Sequence, residues 1–221
     1  MKKFALIVAG GKGTRMGATV PKQFLKLAGK PILLWTIQRF IDFDPTIEII
    51  LVLPEDQFEQ WGQICADHRF QHPVELAKGG TTRFQSVKNG LQKVGDSGIV
   101  FIHDGVRPLV SLATLTNCFQ TALEKGNALP VAPVVESIRR LDGAASQHVD
   151  RSQYRLVQTP QTFQCEIVKK AYEQPEQDLF TDDASVCESS GYKINLVDGN
   201  VENIKLTNPI DLKIAEVLLV S

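Results

Sequence analysis

The sequence predicts an α/β fold built on a doubly wound, mostly parallel sheet flanked by helices, and three observations carry this. Short apolar or β-rich runs recur along the 221-residue chain, at Phe4–Ala9, Glu48–Leu53, Val74–Ala77, Ile99–Ile102 and Asn127–Val131. Runs of this length bounded by turn residues are the pattern of buried strands. Segments with apolar residues at helical spacing lie between them, which implies crossover helices joining parallel strands. Two glycine-rich turns, around Gly10-Gly11-Lys12-Gly13 and Gly79-Gly80, each follow a predicted strand, and the carboxyl ends of strands are where such a sheet binds ligands. The length suits one domain over residues 1–221, with a β-hairpin arm at about 134–152.

Taken in order, the chain supports a Rossmann-like arrangement. After the first strand and its glycine loop, Gly29-Lys30-Pro31 precedes a helix that turns Ile32, Leu33, Trp35, Ile37, Phe40 and Ile41 inward. Glu48–Leu53 is a second strand, ended by Pro54. Glu55 and Asp56 open a helix with Phe58, Trp61, Ile64 and Cys65 on one face, since acids suit a helix start. A short strand, Val74–Ala77, leads to a helix capped by Thr81 or Thr82, with Phe84, Val87, Leu91 and Val94 inward and Ser86 off the apolar face and exposed. Ile99–Ile102 runs into His103-Asp104-Gly105-Val106-Arg107-Pro108, so a strand ends in an acid with a cation three residues on.

Beyond Asn127–Val131, which ends near Pro130 and Pro133, the pattern changes. Residues 135–141 are polar and β-tolerant, Asp142-Gly143 is a turn signal and Val149 begins a return. A two-stranded hairpin is marginal alone in water, so this arm is expected to pack against the same arm of a second subunit. A helix with Ile167, Val168 and Ala171 inward follows, then a helix capped by Thr181 with Asp182 and Asp183 at its positive end and Gly191 at its close. Ile194–Val197 reads as a strand, Asp198-Gly199 as a turn and Asn203–Leu206 as a return strand. The last helix starts at Thr207 and buries Ile210, Ile214, Leu218 and Leu219.

Composition narrows the function. A formal net charge of −1 offers no basic field for nucleic acid and no lysine-rich face for a membrane. The N-terminus enters a strand almost at once, with no leader pattern, so a cytoplasmic location is expected. Cys65, Cys118, Cys165 and Cys187 lack metal-site spacing and read as reduced core thiols.

The chemistry points to the first loop. Glycines bring backbone N–H groups close to a ligand, and successive N–H groups form an anion cradle. Lys12, Arg15 and Lys22 add cations suited to a polyphosphate. The P-loop pattern fails because Gly13 follows Lys12, and the dinucleotide fingerprint fails at Met16. The second glycine turn, opening a helix, is a further polar-ligand site where Ser86 could read a base edge. Asp104 is placed to meet a metal or a ribose, and Arg107 beside it suits a magnesium-bound phosphate.

Seven motifs in sequence, AGGKGTRMG, PKQF, GGTTRFQSV, HDGVRP, VQTPQ, TDDAS and ENIKLT, resemble the 2-C-methyl-D-erythritol 4-phosphate cytidylyltransferase family of the non-mevalonate isoprenoid pathway, from first strand to last helix. The ribitol 5-phosphate cytidylyltransferase family shares most of them, and a non-catalytic nucleotide-binding module is the reading from another class. The resemblance implies that CTP is cradled at Ala9, Gly10, Gly11 and Gly13 and surrounded by Gly80, Thr81, Arg83, Ser86 and Asp104. It implies catalysis by Arg15, Lys22, Arg151 and Lys205. The methylerythritol phosphate would meet Asp104, Arg107, Ser137, Arg151, Thr159, Thr181 and Lys205, with Arg151 and Ser137 supplied by a partner's arm in a homodimer. Mg²⁺ or another hard divalent ion is implied, held mainly by CTP phosphates near Asp104, with no organic cofactor. Ser137 stands where the family often has Thr, keeping the hydroxyl. Gly105-Val106 replaces two alanines with no evident cost, and the arm is shorter than in some relatives.

Overall fold

The fold is described from a computed structural model, which covers residues 1–10 and 20–220. In chain order the elements are β1 (Lys3–Val8), β2 (Lys26–Leu27), β3 (Lys30–Pro31), α1 (Ile32–Phe43), β4 (Glu48–Leu53), α2 (Phe58–Asp67) and β5 (Val74–Lys78). They continue with α3 (Arg83–Leu91), β6 (Ile99–Asp104), α4 (Leu112–Lys125), β7 (Asn127–Pro133), β8 (Ile138–Asp142), β9 (Ala145–Val149) and β10 (Arg155–Val157). The last are β11 (Gln161–Gln164), α5 (Cys165–Ala171), α6 (Asp183–Ser189), β12 (Leu196–Asp198) and α7 (Pro209–Val220).

The central sheet runs β10-β7-β11-β6-β1-β4-β5, with β12 added on β7. β5, β4, β1 and β6 are mutually parallel, β12 is parallel to β7, β11 is antiparallel to both β6 and β7, and β10 is antiparallel to β7. β1 is apolar throughout its middle because both faces are covered. Ala5 and Ile7 join one cluster with Leu33, Ile37 and Phe40 of α1, Trp61 of α2 and Leu115, Cys118 and Ala122 of α4. Phe4 and Leu6 join the other, with Phe84 and Val87 of α3, Val168 of α5 and Val186 of α6. The predicted doubly wound α/β sheet is therefore what the chain forms. The register sets Val8 beside Val52 and Asp104, and Leu53 beside Lys78, so four strands end at one rim.

Several expectations are corrected. β10 and β11 have no counterpart among the expected strands; β11 lies in the middle of the sheet, between β6 and β7. Asn203–Leu206 is not a strand but an irregular segment, tied by Leu206 N–H to the Val106 carbonyl at 2.9 Å. Asp182, not Thr181, caps α6: it accepts from Ser185 N–H at 2.9 Å, and the Ser185 hydroxyl reaches back to Asp182 N–H. Ile210 and Ile214 are exposed, whereas Ala215 is buried and Leu218 and Leu219 pack beside it. Glu55 and Asp56 form a 3-10 turn, and the α-helix begins only at Phe58. The hairpin is present as β8 and β9, with Gly143 at φ +56° in its turn. All four cysteines are free thiols, three of them buried.

α3 sits unusually close to the sheet at Gly90, where a Cβ would stand 2.3 Å from Leu6 Cδ1 and 2.8 Å from Val52 Cγ2. Gly90→Ala is expected to destabilise the fold by about 1–3 kcal/mol through overpacking. Denaturant unfolding checks this; a gain in stability, as helix propensity alone would give, contradicts the close approach.

Candidate active site

The rim where β1, β4, β5 and β6 end opens into a cavity of about 770 Å³, within the range of nucleotide-sized sites. Its floor is the chain leaving each strand: Ala9 and Gly10 after β1, Pro54 and Glu55 after β4, Lys78 and Gly79 at β5, and Asp104 closing β6. The turns are pinned by backbone bonds, Ala9 N–H to the Val52 carbonyl at 2.9 Å and Gly79 N–H to the Leu53 carbonyl at 2.8 Å. Ala9, Gly10, Lys22, Gly80, Thr81, Arg83, Ser86, Asp104 and Lys205 all line this one space. Gly11, Gly13 and Arg15 lie outside the described residues.

Glycine is required at position 80, because a Cβ there would stand 2.3 Å from Gln85 Cβ. Ser86 is buried, contrary to expectation: its hydroxyl donates to the Thr82 carbonyl at 2.8 Å and accepts from Gly80 N–H at 3.0 Å. It therefore shapes the Gly80 turn from beneath. Thr82 is the cap of α3, accepting from Gln85 N–H at 3.1 Å. Lys22 opens a 3-10 turn whose other two residues, Gln23 and Phe24, are buried. Gln23 anchors that turn by donating to Gln57 Oε1 at 2.6 Å. Gly105 proves to have a steric purpose: a Cβ there would stand 2.9 Å from Ala9 Cβ, so an alanine would press on the cavity floor.

Asp104 is the electrostatic centre. Burial alone would raise its pKa, but Lys205, Arg83 and Arg107 reverse this and hold the carboxylate well below the usual range. Lys205 Nζ is 2.9 Å from Oδ2, Arg107 Nε 3.5 Å from Oδ2 and Arg83 Nε 3.9 Å from Oδ1. Lys205 thus reaches the cavity that Lys22 lines, although the two are far apart in sequence. Glu55 and Lys78, which motif reading passed over, pair at 2.5 Å on the opposite lip.

Arg83 is committed elsewhere than expected. Its fork is bidentate on the fully buried Asp183, at 2.8 and 2.7 Å, and Tyr172 donates its hydroxyl to the same carboxylate at 2.6 Å. Burial would lower the Arg83 pKa, and the Asp183 carboxylate overrides that to raise it. Arg83 therefore stitches α3 to α6 behind the cavity and turns only its Nε edge toward Asp104.

The remaining predicted residues divide. Arg107 sits against Asp104, largely buried, and donates to the Asn203 carbonyl at 2.6 Å. Thr159 is buried and accepts from Asp104 N–H at 3.1 Å, so it supports Asp104 rather than lining the cavity. Thr181, Ser137 and Arg151 are exposed and do not line the cavity of their own chain. Arg151 donates to the Val135 carbonyl at the base of the arm. Among the described residues no three carboxylate, histidine or cysteine side chains gather as a metal site.

Removing one partner of a buried ion pair leaves a charge stranded. Asp183→Ala is expected to reduce unfolding free energy by about 3–5 kcal/mol, read from denaturant midpoints. Unchanged stability would instead mean that the Arg83 fork is free to serve a ligand.

A family model described as IspD, 2-C-methyl-D-erythritol 4-phosphate cytidylyltransferase, matches residues 4–221. The protein of that name from Phocaeicola vulgatus is 51% identical over 219 residues, covering 99% of this chain and 100% of its own length. The Porphyromonas gingivalis protein of that name is 50% identical over 222 residues, covering 100% of this chain and 99% of its own. Among solved structures, that of the Thermus thermophilus protein of the same name superposes with a TM-score of 0.79 at 31% identity, covering 100% of both chains. With the glycine-turned rim, the two lysines converging on it and these matches agreeing over the whole length, the chain belongs to the 2-C-methyl-D-erythritol 4-phosphate cytidylyltransferase family.

Proposed function

We propose that the chain transfers CMP from CTP to 2-C-methyl-D-erythritol 4-phosphate, giving 4-diphosphocytidyl-2-C-methyl-D-erythritol and pyrophosphate, in the cytoplasm. The observation that carries this is the convergence of Lys22, Lys205 and Asp104 on one cavity floored by glycine turns. The attacking group is a phosphate oxygen. A phosphomonoester has its second pKa near 6, so it is largely a dianion at neutral pH and needs no general base. His103 agrees with that: it is fully buried, and burial lowers its pKa to about 4, so it stays neutral.

The barrier is charge. A dianion approaches a triphosphate, and like charges repel strongly at low dielectric. Fixed cations that fit the crowded transition state better than the ground state lower that barrier. Lys22 and Arg15 meet the triphosphate and the charge developing at its α-phosphorus, while Lys205 and Arg107 meet the acceptor phosphate from the Asp104 side. As the acceptor arrives, the ion pairs of Asp104 give these cations a fixed orientation. A hard divalent ion supplies further charge neutralisation on the phosphates when bound. Phosphate oxygens and water would hold such an ion in the main, with Asp104 the cavity carboxylate on the β6 side that could assist.

The chain acts as one domain, 1–221, whose arm makes a homodimer. Val135, Leu141, Leu156 and Val157 on and beside the arm are exposed apolar residues, a surface that suits a partner. Arg151 at the arm base, with Ser137, then serves the partner's acceptor site together with that chain's Thr181.

Pyrophosphate release from CTP and Mg²⁺ with each acceptor tests the reaction; turnover with ribitol 5-phosphate and none with methylerythritol phosphate overturns it. Lys22→Ala and Arg15→Ala should each lower turnover by roughly two to three orders of magnitude, the cost of a lost preorganised donor, with CTP binding less affected. Near-normal steady-state turnover in both removes them from these roles. Arg151→Ala should impair mainly use of the polyol phosphate. Mixing Arg151→Ala with Lys22→Ala protein should restore activity in heterodimers; confirmed mixed dimers without activity would place each site within one chain.

A further inference from the structure

The two groups on the acceptor side, Arg107 and Lys205, come from loops distant in sequence, and a closed ring of hydrogen bonds joins those loops. Arg107 Nη1 donates to the Asn203 carbonyl at 2.6 Å. Asn203 Nδ2 donates to the Thr159 carbonyl at 2.8 Å. Thr159 Oγ1 lies 3.0 Å from His103 Nδ1, and His103 Nε2 lies 3.0 Å from the Arg107 carbonyl. His103, Thr159 and Asn203 are all buried.

The proton positions follow from the partners. Asp104 N–H can only donate, and it donates to Thr159 Oγ1 at 3.1 Å. In a neutral imidazole whose Nε2 faces a carbonyl, Nδ1 is the acceptor, so the Thr159 hydroxyl donates to it. The Arg107 carbonyl can only accept, so His103 carries its proton on Nε2. The ring therefore works with a neutral imidazole in one tautomer, which bridges the two ends of the turn from His103 to Arg107. The turn closes further through Arg107 N–H to the Asp104 carbonyl at 3.1 Å. The other end of the ring, Asn203, stands two residues before Lys205, whose Nζ meets Asp104.

We propose that His103, with Asn203, is a positioning residue: it holds Arg107 and Lys205 in the relative placement that receives the acceptor phosphate, without touching substrate. This rests on the acceptor-side reading given under Proposed function. A buried polar cluster kept only for stability would have no reason to discriminate between the two substrates. The ring fixes the acceptor-side cations, whereas the CTP side is held mainly by β1, β5 and the Gly80 turn, with Asp104 shared and kept by its own ion pairs, so its loss should be felt chiefly by the acceptor.

The test uses two polar replacements that reach different ring atoms. The amide nitrogen of Gln reaches the place of Nε2 and keeps the bond to the Arg107 carbonyl. The shorter Asn reaches the place of Nδ1, keeps the Thr159 contact and breaks the ring at Arg107. His103→Asn is expected to raise KM for methylerythritol phosphate about tenfold, in line with one lost buried hydrogen bond. KM for CTP should stay within about twofold, and His103→Gln should stay within about threefold of wild type for both. Asn203→Ala should repeat the His103→Asn pattern, and it decides the matter if His103→Asn does not fold. Equal rises in both KM values, or an unchanged acceptor KM in folded His103→Asn or Asn203→Ala, overturn the positioning role alone. A wild-type protein inactive with this acceptor overturns the proposed function as well, so the two failures are told apart.

Discussion

A carboxylate sunk into the end of a sheet strand needs compensation, and much of the site follows from supplying it to Asp104. An isolated buried anion costs several kcal/mol, so the fold must bring cations to it. It brings three, Arg83 from α3, Arg107 from the same turn and Lys205 from the segment before α7. Each arrives from a different part of the chain, so the ion cluster also fixes how those parts sit. A site that must draw two phosphate esters together gains from this. Cations already oriented by a buried anion need little rearrangement when the ligands' charges arrive.

The sheet makes the cluster possible. β4 and β6 both run parallel to the doubly covered β1, joined to it through crossover helices, and the four strand ends of β1, β4, β5 and β6 meet at one rim. Close packing enforces the alignment: α3 lies against the sheet through Gly90, and β6 leaves through Gly105 against Ala9. Behind the rim, Arg83 and Asp183 tie the helix that carries the Gly80 turn to α6. The cation that looked like a nucleotide ligand from its place in GGTTR spends its fork on architecture. Thr159 likewise supports the backbone of Asp104 from below.

The parts legible in the sequence were those set by local chemistry. Apolar runs marked β1, β4, β5, β6 and β7, helical spacing marked α1, α2, α3 and α5, and Asp142-Gly143 marked the hairpin turn, while α4 (Leu112–Lys125) went unread. Glycine at 80 and lysine at 22 were singled out from motif alone, and both line the cavity. Illegible were the residues whose partners are remote. β11 is four residues of mixed polarity, and only pairing with β6 and β7 makes it a strand. Ser86 looked exposed because a serine off an apolar stripe usually is, until the Gly80 turn folded over it. The apolar face of α7 was misjudged at Ile210 and Ile214 because its stripe is wide and only the side bearing Ala215 finds a neighbour. His103 stands beside Asp104 in the sequence, but its ring of bonds runs through Thr159 and Asn203, which no spacing rule connects.

By itself the sequence determined the class of fold, the two glycine turns and the kinds of charge available, because these depend on short-range periodicity and on residue type. The tertiary structure alone decided which cations line the cavity and which tie the scaffold together. That division depends on distances between segments a hundred residues apart, as between Arg83 and Asp183 or Asp104 and Lys205. Charge acts through space, and only the folded chain sets the space.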